Sequence, residues 1–191
     1  MSEDSIMTVK VGVLLPFDFN LYQVGIVLDV LKSTNQYCYD NGIDFRFEIE
    51  IVQTQGQINE NSNAFYNIPV TSTLSEKSYE LVFIPPIETD DISEILEKNK
   101  VFKDWIIEQH EQKAQIYSFS NAIVLLAHSG LLDHQKIGLL GIEDDFFNHF
   151  SSIQKAPVSS VQELHQIVLS EGSVQVFYTL FQLIYHYNGF H

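Results

Sequence analysis

Cysteine occurs once, at Cys38, in a chain of 191 residues. That excludes an internal disulfide and any cysteine-based metal cage, and the flanking Tyr37 and Tyr39 mark a packed helix end rather than a redox site. Basic residues are scarce too: ten Lys and Arg stand against 25 Asp and Glu, for a formal net charge of −15. Nucleic-acid affinity depends on clustered Lys or Arg at the phosphates, so this surface repels DNA and direct nucleic-acid binding by the domain is not expected. Solubility and a basic partner both fit such a charge. No apolar run approaches the roughly 20 residues needed to span a bilayer, and the opening MSEDSIMTVK carries acids where a secretory leader carries bases; the chain reads as cytoplasmic, with no membrane partner. Gly-rich phosphate loops of the GxGxxG kind are missing. His110, His134, His165, His186 and His191 show no ligand spacing, and Asp145 with His149, at i and i+4, forms a surface pair without a third ligand. No metal and no cofactor are therefore expected.

What is present is apolar and alternating. With 45% hydrophobic residues the chain fills one sizeable core, so residues 1–191 read as a single domain. Val9 to Leu15 is a β-rich run closed by Pro16, the signature of a parallel strand buried on both faces. Asn20 caps a helix over Leu21 to Tyr39, with Val24, Val27, Leu28 and Leu31 at helical spacing. Phe45 to Val52 gives a second strand, and the polar stretch Thr54 to Asn67 reads as a surface loop or weak hairpin. Tyr79 to Pro85 is a third strand. Asp91 opens one or two helices through Gln112, burying Trp105, Ile106 and Ile107. Lys136 to Leu140 reads as a short strand, Asp144 to Phe150 as a short helix, Gln162 to Leu169 as the last strand, and Val174 to Tyr187 as an apolar C-terminal helix whose aromatic surplus offers a dimer face. This alternation predicts an α/β, flavodoxin-like three-layer sandwich: a mostly parallel central sheet covered by helices on both faces.

The densest stretch is Ala114 to Asp133, AQIYSFSNAIVLLAHSGLLD. A short strand over Ala114 to Tyr117, small or polar residues Ser118 to Asn121 and an apolar run from Ala122 imply a strand feeding a helix through a sharp bend, which lifts Ser120 above the sheet beside a helix start. This order, followed by Leu126-Ala127-His128-Ser129-Gly130-Leu131-Leu132-Asp133, resembles the nucleophile elbow of the ThiJ/PfpI superfamily of class I glutamine-amidotransferase-like domains. It is most similar to the branch that forms the N-terminal half of AraC-type transcriptional regulators.

The resemblance implies a set of site positions, each altered. The family's cysteine falls on Ser120, its first-helix carboxylate on Gln23, its histidine on Leu140, and its glycine pair on Pro86-Ile87. A serine hydroxyl needs an oriented base; Leu140 is none, Gln23 does not titrate, and His128 lies eight residues along the helix, about 12 Å at 1.5 Å per residue. Pro86 has no N–H to donate to an oxyanion. No proton acceptor is thus expected within reach of Ser120, and catalysis is not expected. Ser120, Asn121, Gln23, Phe119, Phe17 and Phe19 are the candidate ligand-binding residues of a neutral pocket with an aromatic wall; otherwise Ser120 and Gln23 bond each other in a vestigial cleft. The reading is a non-catalytic domain that senses a small-molecule effector and forms a homodimer for an AraC-type regulator whose DNA-binding part lies elsewhere. Its rivals are a hydrolase, amidase or isonitrile-hydratase-like enzyme using Ser120, and a purely structural dimerisation module.

Overall fold

The computed structural model describes residues 6–60 and 68–188. Four of the expected strands form, as β1 (Met7–Leu14), β2 (Phe45–Gln53), β4 (Leu81–Ile84) and β5 (Gln115–Phe119), and the end of the last expected run forms β9 (Ile167–Ser170). Two short strands, β3 (Val70–Ser72) and β8 (Val161–Leu164), complete a seven-stranded sheet of order β3-β2-β1-β4-β5-β9-β8. Every pair is parallel except β8 with β9. Side chains alternate across the sheet and feed two cores. On one face Val11, Val13, Phe83 and Tyr117 meet α1 (Leu21–Asp40) and α7 (Gly172–Asn188). On the other, Leu14, Val82, Ile84 and Ile116 meet α3 (Ile92–Asn99), α4 (Lys103–Glu111) and α5 (Ile123–His128). This is the flavodoxin-like three-layer sandwich, held chiefly by apolar burial at roughly 1.5–3 kcal/mol per large side chain.

Local chemistry accounts for the element ends. The Asn20 side chain accepts from the Gln23 N–H and starts α1, and Asp91 does the same for α3 through Glu94. Gly12 faces the ring of Tyr79, where a Cβ would stand 3.0 Å from the ring carbons. Cys38 is buried in the α1 end, and burial raises its thiol pKa.

Three expectations need correction. The run Gln162 to Leu169 is not one strand but the β8–β9 hairpin, turned at His165, whose φ is 53°; the apolar pattern continues through the turn and hides it. Thr54 to Asn67 is not all loop: α2 (Gln55–Glu60) starts there, because Thr54 Oγ1 accepts from the Gln57 N–H while Gln57 Oε1 accepts from the Thr54 N–H, a reciprocal capping box. Residues 61–67 and His191 lie outside the described residues. The short strand expected at Lys136 does form, as β6 (Lys136–Leu139), and pairs with β7 (Gln154–Ser159) in a separate two-stranded sheet. β7 is mostly exposed and shows no apolar alternation to announce it. Finally, Ile107 is only half-buried beside the buried Trp105 and Ile106.

Candidate functional site

β5 ends at Phe119, and Ser120 begins a 3₁₀ turn (Ser120–Ala122) that runs into α5. Ser120 has φ of 52°, a left-handed conformation that costs a non-glycine residue on the order of 1–3 kcal/mol and persists only where surrounding packing imposes it. The packing here is the buried run Ala122 to Ala127 behind the bend. The predicted elbow therefore exists, with the serine at its strained apex.

The hydroxyl of Ser120 donates to Glu171 Oε1 at 3.0 Å. This overturns the expectation that no proton acceptor comes within reach. Glu171 sits in the turn between β9 and α7, fixed by its own N–H donating to the Ser160 carbonyl at 3.0 Å and followed by Gly172 at φ 74°. The register explains the meeting. Phe119 pairs with Ser170 across β5 and β9, so the next residue of each strand, Ser120 and Glu171, stands level on the same edge. The signal was available in the Ser-Glu-Gly-Ser turn, by lining up the ends of neighbouring strands, but the family's pattern directs attention to Leu140 instead. Burial raises the Glu171 pKa, Asp90 adds a smaller push in the same direction, and hydrogen bonds from Ser120 and the Gly172 N–H partly offset both.

Asn121, the next residue, spends its side chain on the loop after β4. Its Oδ1 accepts from the Ile87 N–H at 2.9 Å, and its Nδ2 donates to the carbonyls of Ile87 and Thr89 and to Asp90 Oδ1 at 2.8, 2.7 and 3.1 Å. Ile87 occupies the second position of the family's glycine pair. Its N–H is therefore engaged with Asn121, while Pro86 has none. The loop after β4 also pairs with the loop after β1: Phe19 and Ile87 form an isolated bridge, the Asn20 N–H donates to the Pro86 carbonyl at 2.7 Å, and the Glu88 N–H donates to the Asp18 carbonyl at 2.8 Å. Asn99, itself buried, holds the Phe17 N–H at 2.6 Å.

These ties separate the predicted binding residues. A cavity of about 350 Å³ opens above Ser120, and of the six candidates only Ser120 and Asn121 line it. Phe119 lies in the core against Phe83, Phe17 packs on Phe102, and Phe19 belongs to the loop bridge. Gln23 Oε1 is buried without a hydrogen-bond partner among the described residues, so the alternative of a Ser120–Gln23 bond is replaced by Ser120–Glu171. Leu140 is 54% exposed and continues the small sheet through its N–H to Ser159; Gly141 beside it contacts the cavity, because a Cβ there would come within 3.3 Å of the Glu171 carboxyl carbon. The remaining walls include Ile92, Val124 and Phe146, and three further carboxylates, Asp90, Glu143 and Asp145, at the exposed rim. No group of three His, Cys, Asp or Glu among the described residues is placed to hold a metal ion, and no helix among them is long and apolar enough to cross a membrane.

The arrangement can hold a hydrogen-bonding ligand against a serine and a half-buried carboxylate. It lacks the family's paired donors for a developing oxyanion, and four carboxylates set a field that opposes one. The chain's cysteine, in α1, is not at the elbow.

No family model and no curated protein matches the sequence, whereas solved structures match over nearly its whole length. A crystal structure of a candidate transcriptional regulator protein from Vibrio parahaemolyticus superposes with a TM-score of 0.71 at 17% identity, covering 95% of this chain and 94% of that one. A mutant of a DJ-1 superfamily protein from Salmonella typhimurium gives 0.62 at 16%, covering 95% and 91%. An AraC family transcriptional regulator from Pseudomonas putida gives 0.56 at 13%, covering 93% and 91%. The sheet order, the strained serine between β5 and α5 and these superpositions agree: this chain has the DJ-1/ThiJ/PfpI fold.

Proposed function

We propose that this chain is a non-catalytic ThiJ/PfpI-like domain that senses a small-molecule effector for an AraC-type transcriptional regulator, with DNA contacts made by a separate domain. One observation carries the reading: the elbow still opens onto a cavity, yet both family positions for oxyanion donors are spent, Pro86 by chemistry and Ile87 by its bond to Asn121. A strained serine facing open space without that machinery suits recognition better than acyl transfer. The likeness in fold to regulators from Vibrio parahaemolyticus and Pseudomonas putida supports the transcriptional part, and the net charge of −15 supports placing DNA binding elsewhere. The effector should be neutral or cationic and should donate hydrogen bonds to the Glu171 carboxylate and to the Ser120 oxygen, whose one proton is already given to Glu171.

A thermal-shift screen of amines, amino acids, sugars and their uncharged relatives tests this. A ligand present at a hundred times its dissociation constant stabilises by about 2.7 kcal/mol, roughly 5–10 °C for a chain of this size. Shifts of that order that vanish in Glu171→Ala are expected; shifts confined to anionic compounds would contradict the reading. The Ser120–Glu171 bond favours a second reading, a hydrolase or amidase in which a carboxylate of raised pKa serves as base. Turnover abolished by Ser120→Ala and by Glu171→Gln is its signature.

A further inference from the structure

Helix α7 crosses the sheet obliquely. Its start is tied to β9 through the turn at Glu171, while Tyr187, near its end, packs on Phe45 and Phe47 of β2 with ring centroids 5.9 and 6.2 Å apart. In the order of the sheet, β2 stands four strands from β9. A helix leaning this far toward β2 leaves the opposite corner, β8 with β9, without cover. Nor can α1 and α7 together cover seven strands, at about 4.8 Å between strands and about 9 Å between helices. The space left beneath the flank of α7 is a cavity of about 500 Å³ over β5, β9 and β8, within the size range of small-molecule sites. It shares no lining residue with the cavity above Ser120.

Strand register builds the cavity floor. Val168 of β9 pairs with Tyr117 of β5 on one side and with Glu163 of β8 on the other, so the three side chains share one face of the sheet, with Tyr117 and Glu163 roughly 10 Å apart at the backbone. Tyr117 is 5% exposed, and its ring stacks on Phe83 with centroids 5.0 Å apart. Its hydroxyl nevertheless makes no hydrogen bond among the described residues. A buried phenol ordinarily finds a partner; this one lines an open cavity instead. Burial, with Tyr187 and Glu163 nearby, raises its pKa and keeps it neutral. Glu163 is exposed, enters no salt bridge among the described residues, and is the one Asp, Glu, Lys or Arg that lines the cavity. Tyr178 and Tyr185, both more than half exposed, add aromatic surface at the mouth, two helical turns apart. A lone carboxylate, an unpaired phenol oxygen and aromatic walls fit a cation that also donates hydrogen bonds. A protonated primary amine does both, whereas a quaternary ammonium has no proton to give.

We propose that this cavity binds a primary ammonium group carried on an aromatic or aliphatic body. The ammonium donates to the Tyr117 oxygen and to the Glu163 carboxylate above Val168, and the body lies along the flank of α7 between Tyr178 and Tyr185. The site stands independently of whether the cleft at Ser120 binds or transforms its ligand. Titration of the isotope-labelled full chain with phenethylamine to about 20 mM, enough to fill a millimolar site, tests it through amide chemical shifts. Phenethyl alcohol and phenylacetate serve as the neutral and anionic counterparts. Saturable shifts around Glu163, Val168 and Thr179 are expected with the amine and not with its counterparts, and they should persist in Glu171→Ala. Glu163→Gln should weaken binding about threefold, as for an exposed ion pair. Tyr117→Phe keeps the ring on Phe83 and should weaken binding about tenfold, as for a hydrogen bond to a charged group. The absence of saturable shifts over that range, equal binding of either counterpart, or an affinity that either variant leaves intact would overturn the proposal. Shifts that vanish in Glu171→Ala would do so too, by assigning the amine to the Ser120 cleft and leaving the proposed function standing.

Discussion

Two loops on the same edge of the sheet have opposite characters. Over β4, residues Pro85 to Thr89 are closed: Asn121 ties Ile87 and Thr89, the β1 loop bridges onto Ile87, and backbone donors and acceptors are used in pairs. Over β9, the turn at Glu171 offers one carboxylate and one hydroxyl to a cavity. Adjacent residues divide the work, Asn121 bracing the first loop and Ser120 facing the second. Where polar groups are fully paired with each other the edge is structural; where a titratable group meets open space it is available to a ligand. The contrast also explains the site's location. Bridging the β1 and β4 loops closes the usual crevice between those strands and leaves the opening over β5 and β9.

Perturbing the closed loop should have the largest effect. Asn121→Ala orphans the Ile87 N–H and two carbonyls, and should cost about 2–3 kcal/mol by urea denaturation, within the range for buried polar groups left unpaired. A loss under about 0.5 kcal/mol would show that the clamp is dispensable and the contrast false. At the open turn the effects should be smaller and of two signs. Ser120→Gly relieves the positive φ and Ser120→Ala does not, so the glycine variant should be the more stable of the two by about 1 kcal/mol. Equal stabilities would mean that the elbow stores no strain.

The smallest effect concerns pH. Because the Glu171 pKa is raised by burial, the folded chain binds this proton more tightly than the unfolded chain does. The resulting stabilisation is full below the ordinary glutamate value, about 4.3, and is lost as pH rises through the higher folded value. Glu171→Gln keeps an oxygen to accept from Ser120 without the charge. It should melt above the wild type at neutral pH, with the gap closing as pH falls toward 4. A gap that stays constant with pH would remove Glu171 from the titrating groups.

Most of the fold was legible because its signals are local. Buried parallel strands are continuous apolar runs, and Asn20 and Asp91 announce their helices. The β8–β9 hairpin was not legible, since its turn at His165 carries neither glycine nor asparagine at the positive φ. The site was legible only in part. Ser120 follows from the strand-turn-helix pattern, but Glu171 lies 51 residues away and meets it only through the β5–β9 register. Phe17, Phe19 and Gln23 were placed by analogy with an open crevice, and no local pattern reveals that the loops above it bridge.

The proposed function requires that Ser120 recognise a ligand and not attack it. A fluorophosphonate probe reacts covalently with serines made nucleophilic by their surroundings, so intact-mass spectrometry after incubation at neutral pH reads that property directly. An unmodified chain is the expected result. An adduct mapped to Ser120, and lost in Glu171→Gln, would contradict it and establish the serine–glutamate pair as a catalytic one.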